Sequence, residues 1–553
     1  MRDHNLLRGE TFFRMPRGHE RLSGRYYMIK EPKLKVMRNR QLLLCLFILL
    51  LSALRAEAVT YTVKAGGGGN FTTIQACATA MAPGDTCTVY AGAYKEIPTL
   101  TAGTAGNYKT ITVNTGDTVN VLGFTMASHT KVNGFYIDNP SSPFGAACVT
   151  VPPGITDVYI TKNSMHSCGA DGGTEEASLV GVRNGAIGSS FIFVQNNTIT
   201  HGCSVPGVND VCESISIGAG DHWLIEGNDL SHNDDTIEFY ASYIIARNNT
   251  IHDINTAECN PNGHGSNCHA DQFESEPVVT NGTAPSAHNM FEGNTLMNAS
   301  GEVHAILAQG DACSGECNHE IIRSNIYYNL NGYYMLNDLP VFTNVKSYNE
   351  TLVSGGSSGD ISGNWAGDGN GTGAMINVLM YNYPVSTPSN YYAGNITAHN
   401  NLINPSANPF VNAASDWNLA PGSAAIGAGG SLTTAVGSGT SSTTLKVADP
   451  YYFQDGWGFP NGTGLGMVSP DWIRIGPSTT VQIASINYSA DTLTLANPVS
   501  WNSNDPIYLY KNSSGTIVLT GANPNIGAFP SGSSGQPVSN TPLPPTNVRA
   551  IAQ

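Results

Sequence analysis

The chain has 553 residues, with 25 Lys and Arg against 41 Asp and Glu, so its formal net charge is −16 at neutral pH. Residues 1–58 hold 12 of the basic and 5 of the acidic residues, which leaves 13 basic and 36 acidic residues and a net charge of −23 for the remainder. A field of this sign repels nucleic acids and anionic membranes, so both are excluded as partners of the remaining chain.

The first 58 residues are predicted to be an upstream segment followed by a secretory signal peptide. A basic start at 37–40 precedes the apolar run LLLCLFILLLSAL, which is short for a bilayer span, and Ala56-Glu57-Ala58 offers a small-x-small cleavage site. We therefore expect an exported protein that begins near Val59 and has no membrane partner after cleavage. The alternative is an uncleaved anchor.

The number and spacing of the cysteines are consistent with an exported protein. Apart from Cys45 in the apolar run, ten cysteines occur as neighbours in the sequence. An even number with local spacing favours five disulfides that stabilise loops, while zinc bound beside His264 and His269 is the alternative. The predicted pairs are Cys77/Cys87, Cys148/Cys168, Cys203/Cys212, Cys259/Cys268 and Cys313/Cys317.

Residues 60–96 predict a strand, a short helix over 74–81, a turn at Pro83-Gly84-Asp85 and another strand. A repeat protein needs such a terminal cap to cover the open end of its core.

A short phrase that ends in asparagine and an apolar residue then returns along the chain, as in FIFVQNNTI at 191–199 and YIIARNNTI at 243–251. Its shortest step is 21 residues, and it has strand-like apolar pairs without a helical period. This pattern predicts stacked parallel coils, with the asparagines at a turn and a column of alternating charge facing outward two residues earlier. The asparagines are Asn163, Asn197, Asn228, Asn249, Asn294 and Asn325, and the outward column is Gln195, Glu226, Arg247, Glu292 and Arg323.

The strand that precedes each phrase carries acidic residues in three successive coils. If Ile215, Ile237 and Phe273 face inward, the acids align in two columns. The columns are Glu213, Asp235 and Asp271 at the strand start, and Ser216, Glu238 and Glu274 pointing outward.

Like charges on adjacent strands destabilise a sheet, so the acidic columns require an explanation. One is a calcium ion held by Glu213, Asp235 and Asp271, since hard cations prefer carboxylate oxygens. Another is a carboxyl that keeps its proton and acts as a general acid in glycoside cleavage. A solvated acidic face without a function is the third. His232, His269 and His304 fall in the same coils and favour a site.

The coil domain is predicted to span 59–430. Three segments follow it: a small β insertion at 431–520, a closing coil segment at 521–530 and a Ser/Gly/Pro-rich tail at 531–553.

The opening FTTIQ…PGDT…VYAGAYKE, the asparagine-ended coils and the closing phrases PFVNAASDWNLAPGSAAIGAG and NIGAF resemble the secreted right-handed parallel β-helix proteins of the pectate-lyase-like superfamily. The resemblance implies an all-β, right-handed parallel β-helix with a short N-terminal capping helix and a small β insertion near the C-terminus. Glu213-Ser-Ile-Ser-Ile followed by Asn228 is also similar to the calcium-binding strand of alginate-lyase-type β-helices, although Gly218 stands where those enzymes carry a lysine base.

We therefore expect a monomeric, secreted enzyme that cleaves an extracellular, uronate-containing polysaccharide by lyase or hydrolase chemistry. The alternative is a non-catalytic glycan-binding or adhesin-like surface protein, for which Tyr327, Tyr328, Tyr333, Tyr334, Tyr391 and Tyr392 offer aromatic rings. The expected catalytic residues are Asp235, Glu238, His269, Asp271, Glu274 and His304.

Overall fold

The computed structural model divides the chain into two compact units, 1–57 and 58–553, and almost every residue that it describes belongs to the second. The predicted signal sequence, apart from its last two residues, and the tail therefore lie outside the described residues. The structure describes residues 57–139, 147–168, 177–182, 188–201, 212–218, 220–233, 235–239, 241–254, 270–275, 287–300, 303–308, 318–331, 334–337, 343–354, 372–382, 395–457 and 467–529.

Three parallel sheets of 13, 12 and 9 strands form the coils of the second unit, and successive coils add neighbouring strands to them. This confirms the predicted right-handed parallel β-helix. Sheet A contains Thr60–Val63, Thr86–Val89, Lys109–Val113, Thr130–Asn133, Thr156–Thr161, Ser189–Gln195, Gly220–Glu226, Ser242–Arg247, Ala287–Glu292, Asn318–Arg323, Thr343–Tyr348, Thr372–Ile376 and Asn395–His399. Sheet B contains Gly92–Tyr94, Val119–Val121, Tyr136–Asp138, Ser164–His166, Thr198–Thr200, Asp229–Ser231, Thr250–His252, Thr295–Ser300, Ile326–Asn331, Thr351–Val353, Leu379–Tyr381 and Leu402–Ile403. Sheet C contains Phe124–Thr125, Val149–Thr150, Ala177–Val182, Cys212–Ile217, Ile237–Phe239, Ala270–Asp271, Phe273–Ser275, Val303–Ala308 and Tyr334–Asn337.

The asparagine column joins sheet A to sheet B inside the coil. Asn197 donates its backbone N–H to Oδ1 of Asn228 over 2.9 Å, and its side-chain amide donates to the same oxygen over 3.0 Å. The same contacts join Asn163 through Asn325, so the predicted amide stacking is confirmed. The residue with left-handed backbone geometry, however, is the one before each key asparagine, such as Asn196 with φ of 56°.

The N-terminal end is closed as predicted by a helix, Ile74–Ala80, whose N-cap is Thr73. Of the five predicted disulfides, Cys77–Cys87 and Cys148–Cys168 are present. The other three pairs each involve residues or side chains outside the described part.

A small antiparallel sheet forms the C-terminal insertion, and a bridge between Ala435 and Val447 connects its outer strands into a barrel. We call residues 432–520 the barrel module. Its apolar side chains pack on the outer face of sheet A, where Leu224, Ile245 and Ile321 are buried. The strands are Thr433–Thr434, Gly439–Lys446, Trp472–Ile475, Thr479–Asn487, Thr492–Trp501 and Pro506–Lys511, with a 3₁₀ turn at Tyr488–Ala490.

This packing corrects the prediction that the charged column on sheet A faces solvent. Arg323 is fully buried because its guanidinium makes a bidentate pair with Asp471 of the barrel module, at 2.7 and 2.8 Å. Arg247 is 9% exposed, and its guanidinium donates to Oγ of Ser513 over 2.9 Å. The column does face away from the core, but its later members contact the module.

The outer face of sheet B is covered over its last coils by a hairpin, Phe410–Asn412 and Asp416–Leu419. Trp417 and Ile526 pack there on Ile326 and other apolar residues, so the segment near 521–529 returns to the coils. Within the described residues, no helix combines the length and apolar character needed to cross a lipid bilayer.

Candidate active site on sheet C

The acidic residues lie on, or just before, neighbouring strands of sheet C, and these strands pair in the predicted register. Ile237 pairs with Ile215 and with Phe273, and all three side chains are buried in the coil interior. Glu238 is therefore placed directly between Ser216 and Glu274. The chain bends at Thr236 and Gln272, just before these strands.

The structure corrects the expected exposure of these side chains. Glu238 is 2% exposed and Glu274 is 4% exposed, although both side chains lie on the face of sheet C that points away from the coil interior. Carboxylate oxygens of Asp235, Asp271 and Glu274 lie within 4.8 Å of one another. We call these three residues the carboxylate cluster. They face one another rather than solvent.

A hydrogen bond fixes two members of the cluster, because the backbone N–H of Asp271 donates to Oδ1 of Asp235 over 2.9 Å. Glu213 begins the same column one strand earlier and is fully buried, but it is not part of the group whose oxygens lie within 4.8 Å.

Neutral polar groups beside the cluster are also buried. The side chains of Ser216, Thr236 and Gln272 are fully buried, and their polar atoms have no hydrogen-bond partner in the described part of the protein. An unsatisfied buried amide or hydroxyl costs roughly 1–3 kcal/mol, and such groups often mark a place where an ion, a water or a ligand belongs.

The donor set fits a hard cation. Three buried carboxylates this close repel one another strongly in a medium of low dielectric constant. Calcium takes six to eight oxygen ligands and binds carboxylates in one- or two-oxygen modes, so Asp235, Asp271 and Glu274 supply the appropriate chemistry. A proton shared among the carboxyls relieves the same repulsion, as the sequence also allowed.

The predicted histidines differ in where they lie. His304 pairs through its backbone with Asp271 on the next strand of sheet C, although its side chain lies outside the described part. His269 is itself outside the described residues. His232 lies at the turn after sheet B and stacks on His201 with ring centroids 4.6 Å apart, so it does not join the carboxylate cluster.

Among the described residues, the tyrosines predicted to stack on glycans do not form an exposed aromatic surface. Tyr327 is 2% exposed inside the coil, which corrects its expected role. Tyr328 packs on Trp417, with ring centroids 5.0 Å apart. The side chains of Tyr333, Tyr334, Tyr391 and Tyr392 lie outside the described part.

Comparison with known proteins gives likeness in shape alone. No protein-family model matches the sequence, and no curated protein sequence matches it. Among solved structures, XylC in complex with xylose has 9% identity and a TM-score of 0.44, over 85% of this chain and 98% of the other. A lacto-N-biosidase of family GH136 from Eubacterium ramulus has 11% identity and a TM-score of 0.44, over 67% and 72%. The pectate lyase Pel9A has 13% identity and a TM-score of 0.32, over 68% and 93%. At these identities and TM-scores, the neighbours assign neither an activity nor a substrate to this chain.

Proposed function

We propose that the protein is a secreted carbohydrate-active enzyme that cleaves an extracellular, uronate-containing polysaccharide at sheet C. The observation that carries the proposal is the buried carboxylate cluster in two neighbouring coils, with His304 next to Asp271 in the strand register. Elimination at a uronate requires a base and a cation that stabilises the developing charge, and a histidine beside carboxylates that could hold a cation would supply both.

In the proposed reaction, a base removes the proton on the carbon beside the uronate carboxyl. The glycosidic oxygen on the adjacent carbon then leaves with a proton, and a double bond forms between the two carbons. His304 is the proposed base, and Asp235, Asp271 and Glu274 are the proposed cation ligands. Calcium, when bound there, would neutralise the cluster and stabilise the negative charge that develops on the uronate.

Hydrolysis is the second candidate, and the pairing of Glu238 with Glu274 favours it. Adjacent strands are about 4.8 Å apart, which is close to the carboxyl separation of about 5–5.5 Å in retaining glycosidases. In that reaction one carboxyl acts as the acid and the other as the nucleophile, and no unsaturated sugar forms.

The test is incubation with a panel of acidic and neutral polysaccharides, followed by measurement of reducing ends and of the ultraviolet absorbance of unsaturated uronates. Both signals indicate a lyase, and reducing ends alone indicate a hydrolase. Asp271→Asn and Glu274→Gln should each lower the rate at least about 100-fold, while Asp416→Asn, remote in the C-terminal hairpin, should not. Glycan binding without cleavage, unchanged in the two variants, would show a binding protein instead.

A further inference from the structure

In the described part of the chain, the barrel module packs on only part of the outer face of sheet A. The module's apolar cluster begins at Phe191, so the strands Lys109–Val113, Thr130–Asn133 and Thr156–Thr161 lie before it. Their outward side chains, including Lys131 and Tyr159, are half-buried rather than sealed.

Lys131 is held on this face by aromatic rings. Its Nζ lies 3.9 Å from the ring centroid of Tyr108 and 4.3 Å from that of Tyr159. A lysine in these positions is attracted to the ring faces and loses little of its hydrogen-bonding capacity, because a ring accepts no conventional hydrogen bond. Tyr159 in turn stacks on Phe193, with centroids 4.4 Å apart, which fixes its ring.

The nearby carboxylate does not pair directly with Lys131. Asp157 accepts from the hydroxyl of Tyr108 at 2.6 and 2.8 Å, and it lies 3.1 Å from Nδ1 of His129. In the described part of the chain, Lys131 makes no ion pair within 4.0 Å and no hydrogen bond through its ammonium. Burial lowers the pKa of Lys131, and the charge of Asp157 acts in the opposite direction.

Other cations of sheet A are already engaged. Arg247 pairs with Glu226, Arg323 pairs with Asp471, and Lys346 pairs with Asp449. Lys131 is therefore an ammonium with open donors on a protein whose remaining chain carries a large negative charge.

Further along the same face from Lys131 and Asp157 lie an amide and a hydroxyl, followed by a second lysine. Asn133 and Thr161 bond to each other over 3.1 Å, and Lys162 follows at the exposed turn. The amide of Asn133 also donates to Oγ1 of Thr112 over 2.9 Å, so the two lysines are the groups of this face that a carboxylate would contact first.

We infer that Lys131, with Asn133, Thr161 and Lys162 beside it, forms a binding site for the carboxylate groups of an acidic polysaccharide, separate from the carboxylate cluster on sheet C. Charge complementarity selects this partner, since an anionic chain reaches such an acidic protein only through a local cation. The choice of a polysaccharide rests on the proposed function.

The experiment measures binding by affinity electrophoresis and calorimetry in the Glu274→Gln background, in which cleavage does not consume the polymer. The probes are polygalacturonate and alginate, with methyl-esterified polygalacturonate as the uncharged counterpart. Lys131→Gln should weaken binding of an acidic probe about tenfold, as expected for loss of one charge-assisted hydrogen bond. Lys131→Arg should restore most of it, and Lys446→Gln, an exposed lysine on the barrel module, should change nothing.

The inference is overturned if Lys131→Gln binds both acidic probes as tightly as its parent, or if the methyl ester binds as tightly as the acid. Lys131-dependent binding by a protein whose wild type cleaves nothing would leave this site standing and remove the proposed activity. Cleavage by the wild type, with binding that does not depend on Lys131, would support the proposed activity and overturn the proposed binding site.

Discussion

At the scale of single residues, a carboxyl replaces the amide at one position of the asparagine column. In the coil after that of Asn325, Glu350 occupies the position of the key asparagine. Its Oε1 accepts from the backbone N–H and the side-chain amide of Asn325, at 3.2 and 3.4 Å. The side chain is fully buried, and this burial raises the pKa of Glu350 to about 8. Near neutral pH, a protonated carboxyl therefore occupies the position that an amide occupies in the coils of Asn163 to Asn325.

This position predicts a pH-dependent stability. The unfolded chain ionises Glu350 near pH 4.5, whereas the folded protein keeps the proton until about pH 8. The free energy of unfolding therefore falls as pH rises between these values, by roughly 5 kcal/mol at most. Glu350→Gln should remove that loss and be more stable than wild type at pH 8, measured by denaturant unfolding across the range. Parallel pH profiles for the two proteins would contradict it.

His252 has the opposite environment. Its Nε2 lies 2.8 Å from Asp229 and its Nδ1 lies 2.7 Å from Asp253. Burial lowers the pKa of His252, but the hydrogen bonds and charges of the two aspartates outweigh burial, so the pKa is raised. The imidazolium therefore stabilises the fold below the unfolded pKa of about 6.5, and this contribution is lost as pH rises through the folded pKa.

His252→Gln should accordingly reduce stability by about 1–2 kcal/mol at pH 5.5 and by less at pH 8.5. His399→Gln provides the control, because His399 is exposed on the last strand of sheet A. Thermal unfolding at the two pH values measures the difference. A loss for His252→Gln that is equal at both would show that the imidazole acts by packing alone.

At the scale of elements, local repetition was readable from the sequence, and contact between distant segments was not. The register that places Glu238 beside Glu274 follows from apolar alternation and the asparagine spacing, because both are local properties of each coil. The burial of Arg323 depends instead on Asp471, 148 residues away, and no periodicity links them. The role of Glu350 in the column could not be predicted for another reason. Its carboxyl replaces an asparagine amide only because burial raises its pKa, and burial is not visible in the sequence.

The contact between Arg323 and Asp471 predicts what holds the barrel module on sheet A. Asp471→Asn removes one of the two carboxylates that pair with the fully buried Arg323, and Glu292 remains as the other. The variant should destabilise the protein by about 1.5–3 kcal/mol, because charge-assisted hydrogen bonds to the guanidinium are lost. Asp449→Asn is the matched control at the edge of the same interface, where the carboxylate is 31% exposed and pairs with Lys346. Its loss should be at most about 1 kcal/mol. Equal effects in denaturant unfolding would show that the buried pair is not the main anchor.

At the scale of the whole molecule, the barrel module and the coils meet in an aromatic cluster that includes two buried histidines. Nδ1 of His288 lies 2.7 Å from Nδ1 of His319, whose Nε2 lies 2.8 Å from the carbonyl oxygen of Tyr451 in the module. His319 therefore donates to Tyr451 through Nε2 and accepts from His288 at Nδ1. This arrangement requires the His319 ring to be neutral, and burial disfavours a charge on His288 as well.

Burial lowers the pKa of His288 to about 4 and lowers that of His319, which also faces His288 and Lys346, well below its usual value. The unfolded histidines bind protons near pH 6.5, so stability from this contact is present above that pH and is lost as pH falls towards 4. We expect one thermal transition at pH 7.5 and separate transitions for module and coils near pH 4.5, reported by the fluorescence of Trp457, which packs on both rings. His288→Phe, with the residue type that Phe191 supplies in the same stacked column, should lower the pH at which the transitions separate. A single transition at every pH in the wild type would show that the module and the coils unfold as one unit whatever the charge on these histidines.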